Sequence, residues 1–329
     1  MKFFSNGLKD NPYKFDGLTG KTDAIQQVFK LIEQVARTNV TVLLLGESGT
    51  GKELVSRSIH ARSARAKKPF IAVNMGAISP ELVISELFGH EKGAYTGAHE
   101  RKEGRFERAN GGTLFMDEIS TMDQRTQISL LRVLESRHIH PVGARNSIPV
   151  DVRVIGATNK DLLELVKEGQ FREDLYYRFN VVTLNIPPLR ERKEDIPIIA
   201  NEYLRIYGKT YKKKFKPLSE EIYTRLINYH WPGNVRELKN VIHRAVVLCE
   251  DGNITARHFP GRIINEDDDN SAYMRIKVGS SLKEVEKTLI KETLFHFNGN
   301  KQETAKALKI SRKSLYNKIK EHALDDMLH

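Results

Sequence analysis

Short apolar runs that end in polar residues or glycine are the main pattern over the first half of the chain. The run VTVLLL at 40–45 is apolar and rich in β-branched residues, as expected of a buried strand. Similar runs at 111–116 and 152–157 predict two more buried strands. After the first run the apolar positions change to helical spacing, including Leu54 and Ile59. The pattern therefore predicts a strand that leads through a glycine-rich loop into a helix.

A second, helical pattern follows an acidic break near the C-terminus. The run EDDDNS at 266–271 predicts a linker, because like charges in a row do not build a core; a functional acidic tail is the alternative. The first predicted helix carries apolar residues at Leu282, Val285, Leu289, Leu294 and Phe297. Further helices are predicted over 301–309 and 311–322. A tight turn before a basic helix indicates a helix-turn-helix, and a basic bundle that contacts protein is the alternative.

Composition narrows the class of protein. The 329 residues include 53 Lys and Arg against 42 Asp and Glu, a net charge of +11, and 40% are hydrophobic, which is typical of a folded chain. The one cysteine, Cys249, excludes an intrachain disulfide and a Cys-rich zinc site. The apolar runs are far shorter than the ~20 residues that span a bilayer, and MKFFSNGLKD is not a secretory signal. We expect a basic, soluble, cytoplasmic protein without membrane contact.

The loop after the first predicted strand has the features of a phosphate-binding loop. Its glycines let backbone N–H groups turn toward phosphates, and the following helix N-terminus adds a partial positive charge. Lys52 can reach the β- and γ-phosphates, although Glu53 stands where the general motif has Ser or Thr to help hold magnesium. A chance glycine turn is the alternative. The predicted nucleotide-binding residues are Gly46, Glu47, Ser48, Gly49, Thr50, Gly51, Lys52 and Glu53.

Polar residues end the other two predicted strands. Asp117 and Glu118 follow the second strand, and in phosphate-loop ATPases the first acid orients Mg²⁺ while the second activates water. A plain helix cap is the alternative for this pair. Thr158 and Asn159 end the third strand, where Asn159 is placed to touch the γ-phosphate or the water, or else makes an ordinary turn. The expected cofactors are ATP and Mg²⁺, with Asp117 as the metal ligand.

With these residues assembled, the chain resembles the AAA+ ATPases and, more closely, the NtrC-type sigma-54-dependent transcription activators, over about residues 15–323. The most specific segment is ELFGHEKGAYTGA at 86–98, where the family carries a GAFTGA loop that touches the sigma-54 subunit. GESGTGKE is also the family's usual phosphate loop, so Glu53 is normal there. The resemblance implies an α/β AAA+ core with a parallel sheet, an α-helical lid, and a separate all-α helix-turn-helix domain.

The resemblance also sets the expected domain boundaries. They are a short leader at 1–16, the ATPase subdomain at 17–188, the lid at 189–262, an acidic linker at 263–280 and a Fis-type domain at 281–329. The leader is too short for a receiver or ligand-sensing domain. We therefore expect control in trans, control by expression, or a sensor that has been removed.

The loop that matches GAFTGA is expected to contact sigma-54. It comprises Gly93, Ala94, Tyr95, Thr96, Gly97 and Ala98. Tyr95 keeps the aromatic ring of the family's Phe and adds a hydroxyl. An exposed ring among small residues is costly unless it meets a partner. A tight turn with the ring tucked into the core is the alternative. The insert 137–149 resembles the family's second loop, which supports the first.

By resemblance, four more polar residues act at the ATP site. Arg172 and Arg178 look like the arginines that reach the ATP of a neighbouring subunit, which implies a homo-oligomeric ring, a hexamer by family expectation. A charged helix with internal ion pairs is the alternative. Asn74 matches the position that holds the catalytic glutamate until a signal arrives, although its chemistry alone favours a turn. Arg236 looks like the lid arginine that senses phosphate, and Asn234 is expected to cap its helix.

The C-terminal module resembles the Fis-type DNA-binding domain. Its candidate contacts with double-stranded DNA are Arg312, Lys313, Ser314, Tyr316, Asn317 and Lys320. Arginine and asparagine read base edges, whereas lysine more often positions on phosphate. Dimerisation through the first helix would separate two recognition helices by about 34 Å, one turn of DNA.

The sequence thus predicts an ATP-hydrolysing activator that binds enhancer DNA and remodels the sigma-54 RNA polymerase closed complex to an open complex. One alternative is a nucleotide-binding regulator that does not remodel; the GAYTGA loop and the Asp117–Glu118 pair argue against it. The other is a different AAA+ protein-remodelling ATPase; the loop insertion and the helix-turn-helix argue against that.

Overall fold

The computed structural model describes residues 13–264, 279, 281–297, 299–322 and 324. The chain divides into two compact units at the Pro260–Gly261 bond, and each is described by itself. Within the described residues, no helix is both long and apolar enough to cross a bilayer.

The first unit is built on a five-stranded parallel sheet. Eleven short strands are described: β1 Lys14–Phe15, β2 Leu18–Thr19, β3 Val42–Leu45, β4 Phe70–Asn74, β5 Gly89–His90, β6 Lys102–Glu103, β7 Thr113–Asp117, β8 His138–Ile139, β9 Ile148–Pro149, β10 Arg153–Thr158 and β11 Val182–Asn185. The sheet order is β11-β3-β10-β7-β4, and every neighbouring pair is parallel. The three apolar runs of the sequence therefore form β3, β7 and β10, side by side.

Both faces of the sheet are covered. Successive side chains of a strand point to opposite faces of the sheet. Leu43 and Leu114 therefore belong to one core cluster, while the next residues, Leu44 and Phe115, belong to the other. This explains why the central strands are apolar at successive positions. Helices cover both clusters, which confirms the predicted α/β fold.

The helices of the first unit occupy the connections and the lid. They are α1 Asp23–Ala36, α2 Lys52–Ala61, α3 Pro80–Phe88, α4 Arg105–Arg108, α5 Gln124–Ser136, α6 Leu162–Lys167, α7 Glu173–Phe179, α8 Ile196–Tyr211, α9 Glu220–Asn228 and α10 Asn234–Leu248. The last three helices form the predicted helical lid. Trp231 is fully buried there, and its indole N–H donates to the carbonyl of Leu226 at 2.7 Å.

The second unit is helical. Its described helices are α11 Gly261–Ile264, α12 Leu282–His296, α13 Lys301–Ala307 and α14 Arg312–Glu321. Side-chain caps begin the last three helices at Ser281, Asn300 and Ser311. Leu294, Ala305, Leu315 and Ile319 are among the residues of their shared core. The separate helical domain is therefore confirmed. Most of the predicted linker, including 266–271, lies outside the described residues.

Asn234 does not cap α10 as predicted. Gly233 occupies the capping position, and Asn234 is the first helical residue, with φ +50° and no exposed surface. Its side chain is used for tertiary hydrogen bonds instead, and this use overrides its local capping preference.

Candidate functional site

The phosphate loop connects β3 to α2 at the carboxyl edge of the sheet. Gly49 and Gly51 have φ of +81° and +105°, values that favour glycine. A side chain at Gly49 would place its Cβ 2.3 Å from the carbonyl oxygen of Gly233, so the loop and the lid meet backbone to backbone here. Lys52 begins the helix, as the motif requires.

The Lys52 ammonium lies inside this loop. It donates to the carbonyl oxygens of Gly46 at 2.8 Å and Glu47 at 3.1 Å, and the side chain is buried. Burial lowers the pKa of Lys52, and the negative charge of Asp117 opposes that shift. A cation held against loop carbonyls and close to a carboxylate is a suitable donor for a polyphosphate.

Asp117 and Glu118 lie where β7 ends. Asp117 Oδ1 accepts the backbone N–H of Glu118 at 3.0 Å. Burial raises the pKa of Asp117, and Lys52 acts in the opposite direction. Glu118 adopts the left-handed conformation with φ +57°. Its carboxylate lies against Gly76, where an added Cβ would be 2.2 Å from Glu118 Oε2.

Asn74 ends β4 directly beside Asp117 in the sheet register. Its Oδ1 accepts the N–H of Ala77 at 3.1 Å and caps the short turn that contains Gly76. Asn74 is therefore a turn residue here, as its chemistry favours, and that turn also carries the contact with Glu118.

The end of β10 has two different polar residues. The Thr158 hydroxyl donates to Ser120 Oγ at 3.0 Å and accepts the N–H of Lys160 at 3.0 Å, so it fixes the turn after the acid pair. Asn159 is exposed beside it. Contact of Asn159 with nucleotide stays a prediction.

The lid brings Arg236 to the phosphate loop. Its guanidinium Nη1 donates to Ser48 Oγ at 2.9 Å, and its backbone N–H donates to the carbonyl of Gly49 at 3.3 Å. The structure thus joins a residue predicted through resemblance to the loop predicted from its own motif.

Sequence reasoning missed two residues that also reach the loop. Arg190 holds both carboxylate oxygens of Glu47, at 2.8 and 2.6 Å. Asn234 donates to Glu47 Oε2 and to the carbonyl of Ser48, each at 3.1 Å. The available signal was the acid inside GESGTGKE, because a carboxylate in a phosphate site requires a cationic partner.

Arg172 and Arg178 make other contacts within this chain. Arg172 is paired with Asp174 through bonds of 3.0 and 2.6 Å, the internal ion pair that stood as the alternative. Arg178 Nη2 donates to the carbonyl of Leu134 at 2.8 Å. Among the described residues, neither forms a hydrogen bond or ion pair with the phosphate loop.

The GAYTGA loop is a compact turn with an outward face. Gly93 N–H donates to Ala98 O at 2.8 Å and Ala98 N–H donates to Tyr95 O at 3.0 Å, while Ala98 is buried. The Tyr95 side chain is 40% exposed, and its ring packs edge-on against His90 with centroids 5.1 Å apart.

The insert 137–149 supports this turn. Val142 N–H donates to Gly89 O and Glu91 N–H donates to Val142 O, both at 2.9 Å. Gly143 lies so close to Ala94 that a Cβ would meet the alanine methyl at 3.0 Å. The insert is thus hydrogen-bonded to the segment just before the GAYTGA loop and packs against the loop at Ala94.

Most of the candidate DNA contacts lie on the outer face of α14. Leu315 and Ile319 point into the core, and the candidate residue Ser314 is half-buried. The exposed candidates are Arg312, Lys313, Tyr316, Asn317 and Lys320. The ammonium of Lys301 lies 4.9 Å from the Tyr316 ring centroid, which adds a further cation to this face.

The fold and site define an ATPase-type domain with a helical lid, followed by a helical unit with an exposed basic helix. Family models match in the same order: a sigma-54 interaction domain over residues 18–185, an AAA+ ATPase lid domain over 190–274, and a bacterial regulatory protein of the Fis family over 281–322.

Relatives agree with these matches. The transcriptional regulatory protein ZraR of Escherichia coli is 46% identical, over 92% of this chain and 68% of its own length. The transcriptional regulatory protein FlbD of Caulobacter vibrioides is also 46% identical, over 91% of this chain and 69% of its own. The crystal structure of NtrX from Brucella abortus with ADP is similar with a TM-score of 0.70 at 34% identity, in a match that covers 93% of this chain and 70% of NtrX.

The chain belongs to the sigma-54-dependent transcription activators, with an AAA+ ATPase-type domain and a Fis-type helix-turn-helix.

Proposed function

We propose that this protein hydrolyses ATP, binds double-stranded enhancer DNA, and uses the GAYTGA loop to convert the sigma-54 RNA polymerase closed complex into an open complex. One observation carries the proposal: a single domain holds Lys52 inside a phosphate loop beside Asp117 and also presents Tyr95 on an exposed turn. A nucleotide site and a contact surface are thus combined in one domain. DNA and polymerase are cytoplasmic in bacteria, and we propose the same compartment for this chain.

ATP is the proposed substrate of the phosphate loop. The Lys52 ammonium would exchange its loop carbonyls for β- and γ-phosphate oxygens, while the backbone N–H groups of the loop and the N-terminus of α2 hold the remaining charge. NtrX from Brucella abortus, a structural neighbour, has been crystallised with ADP and with ATP. The hydrogen bond from Arg236 to Ser48 Oγ in this loop supports a proposed role for Arg236 in sensing the phosphates.

The acid pair fits Mg²⁺. Asp117 uses Oδ1 for a backbone N–H, which leaves Oδ2 available as a ligand. The described residues contain no cluster of three or more His, Cys, Asp or Glu able to hold a metal. One carboxylate assisted by phosphates and water is the usual way in which proteins hold Mg²⁺ with a nucleotide. Bound there, Mg²⁺ would neutralise charge on the transferring phosphate.

Glu118 is the proposed base that activates the attacking water. Its carboxylate lies against the turn that Asn74 caps at the end of β4. A movement of this edge strand would therefore move the carboxylate. We propose that Arg172 and Arg178 complete the ATP site of a neighbouring copy in a ring, since in this chain they make no contact with their own loop among the described residues. An arginine supplied in trans is worth about 10³–10⁵ in rate.

Tyr95 is the proposed contact with sigma-54. The loop leaves the side chain 40% exposed, and the ring packs edge-on against His90. The exposed face of α14 is the proposed DNA contact, which would gather subunits near the promoter.

Open-complex formation tests the whole proposal. Purified protein, sigma-54 polymerase and promoter DNA are combined with ATP or with a non-hydrolysable analogue, and single-stranded promoter DNA is measured by permanganate reactivity. We expect opening with ATP alone. Normal ATP hydrolysis without opening would favour a different AAA+ machine, and binding without hydrolysis would favour a regulator that does not remodel.

A further inference from the structure

Four consecutive residues of the phosphate loop are bonded to the lid. The contacts are Glu47 with Arg190 and Asn234, Ser48 with Asn234 and Arg236, Gly49 with the backbone N–H of Arg236, and Thr50 O with Arg192 Nη2 at 3.4 Å. These hydrogen bonds form a structural joint between the phosphate loop and the lid, and the loop cannot shift without changing them.

Glu47 creates an electrostatic problem in this joint. The Lys52 ammonium donates to the backbone carbonyl of this same residue, so Glu47 belongs to the part of the loop that polyphosphate must approach. A carboxylate on this loop repels an approaching phosphate, because like charges near a protein surface interact through a lower effective dielectric than in water. A phosphate site with such an acid needs a nearby positive charge.

Arg190 supplies that charge. Both of its terminal nitrogens donate to the Glu47 carboxylate, in the two-point geometry that suits guanidinium and carboxylate. This contact, assisted by Asn234, lowers the pKa of Glu47, so the acid stays ionised and paired. The side chains of both partners are 41% exposed, so the pair can rearrange.

Asn234 fixes the other side of the joint. It is fully buried, its Oδ1 accepts the N–H of Leu189 at 2.8 Å, and its Nδ2 donates to Glu47. The Asn234 amide thus links Glu47 of the loop to Leu189, the residue before Arg190 at the start of the lid. A movement of Glu47 is transmitted to the lid through these bonds.

We infer that Arg190 is a charge-compensating positioning residue of the ATP site, which neutralises Glu47 so that the loop accepts a triphosphate. The inference rests on the proposed ATP site and adds a residue to it. Arg190 acts through Glu47 and makes no required contact with nucleotide. Loss of Arg190 therefore weakens the binding of ATP more than that of ADP, because ATP carries more negative charge. Removing the charge of Glu47 cancels this effect.

The test is a double-mutant cycle on the full chain. ATP and ADP dissociation constants are measured by titration for the unchanged protein, Arg190→Ala, Glu47→Gln and the double variant, with thermal melts to verify folding. For Arg190→Ala we expect about tenfold weaker ATP binding and about threefold weaker ADP binding, with the loss smaller at high salt. The double variant binds ATP at least about threefold more tightly than Arg190→Ala, because the uncompensated charge of Glu47 is gone. Lys193→Ala, an exposed lysine nearby in the lid, is the matched control and changes binding less than twofold.

Three results would overturn the inference. Unchanged ATP binding by Arg190→Ala would show that the loop needs no compensation. Equal losses for ATP and ADP that Glu47→Gln does not restore would show that Arg190 only holds the lid. No ATP binding by the unchanged protein would overturn the proposed function as well, which distinguishes that failure from the other two.

Discussion

Asn74 and Asp117 are register partners at the carboxyl ends of two adjacent parallel strands. The sheet therefore brings a turn-capping amide next to the acid pair, although 42 residues separate the two in sequence. Because the capped turn also lies against Glu118 Oε2, a shift of the β4 edge changes the position of the proposed base. The geometry couples the edge of the sheet to the proposed site of hydrolysis.

Lys52→Ala should abolish nucleotide binding. The ammonium is the one side-chain cation that donates to the loop carbonyls of Gly46 and Glu47 among the described residues, and no neighbour replaces it. We expect ATP affinity to fall at least about 100-fold, since a charged hydrogen bond to phosphate is lost in a buried site. Titration with ATP measures this. Lys67→Ala, on an exposed loop, should bind normally, and normal binding by Lys52→Ala would contradict the assignment.

Local sequence was sufficient to predict the three central strands of the sheet and the phosphate loop. An apolar run, a glycine loop and a helical pattern are contiguous, so β3, the phosphate loop and α2 follow from residues 40–61 alone. The acid pair ends another apolar run and was predicted in the same way. Asn74 and Arg236 were predicted only through resemblance, because their relevance depends on which strand or helix comes beside the loop.

Tertiary partners explain what sequence reasoning missed. Asn234 favours a cap by local chemistry, but Leu189 and Glu47 satisfy its amide and hold it at φ +50°. Arg190 belongs to a charged stretch in which nothing singles it out. Its partner Glu47 is 143 residues away, so only the folded chain reveals the pair.

A mixture of two inactive variants should regain ATPase activity if Arg178 acts in trans. Glu118→Gln lacks the proposed base, and Arg178→Ala lacks the arginine that would reach a neighbour's ATP. In a mixed ring, some sites combine an intact Glu118 with an intact Arg178 from the next copy. We expect each variant alone to hydrolyse ATP about 100-fold more slowly, and an equimolar mixture to recover to about a quarter of normal.

The control for that experiment is concentration dependence. Phosphate release per subunit by the unchanged protein should rise with protein concentration until rings are populated. Full turnover by a protein that remains monomeric in sedimentation would contradict the trans assignment, as would a mixture no more active than its components.

Tyr95→Ala should separate hydrolysis from promoter opening. The side chain is 40% exposed, and the ring packs edge-on against His90 in a loop separate from the phosphate loop, so its removal should leave the phosphate loop intact. We expect ATP hydrolysis within about twofold of normal and open-complex formation reduced at least about 100-fold, since aromatic anchors dominate contact surfaces. Tyr95→Phe retains the ring and should retain activity. Tyr211→Ala, with a similarly exposed ring in the lid, should behave normally. Parallel loss of both activities would refute a contact role.

Arg312→Ala and Lys320→Ala should weaken DNA binding in different ways. Both side chains lie on the exposed face of α14. Loss of a base contact made by Arg312 would cost about 1–3 kcal/mol of binding free energy and relax the sequence preference. Loss of a phosphate contact made by Lys320 would weaken binding to all sequences and reduce the salt slope by about one. Binding titrations at several salt concentrations distinguish the two. Lys283→Ala, exposed on α12, should leave both quantities unchanged.

Glu202 should make the stability of the first unit depend on acid pH. Arg205 at 2.7 Å and Lys14 at 2.8 Å hold its carboxylate, with Arg205 the larger effect, and lower the pKa of Glu202 from 4.5 to about 2. Because the folded pKa is depressed, the stabilisation is fully present above about pH 4.5 and is lost as the pH falls through 2. It amounts to at most about 3 kcal/mol. Urea unfolding should show Glu202→Gln less stable at pH 7, with the difference shrinking toward pH 2. A difference that is independent of pH would contradict this charge-based account, and no difference at any pH would show that Glu202 contributes through packing alone, because the neutral amide of Gln fills the same space.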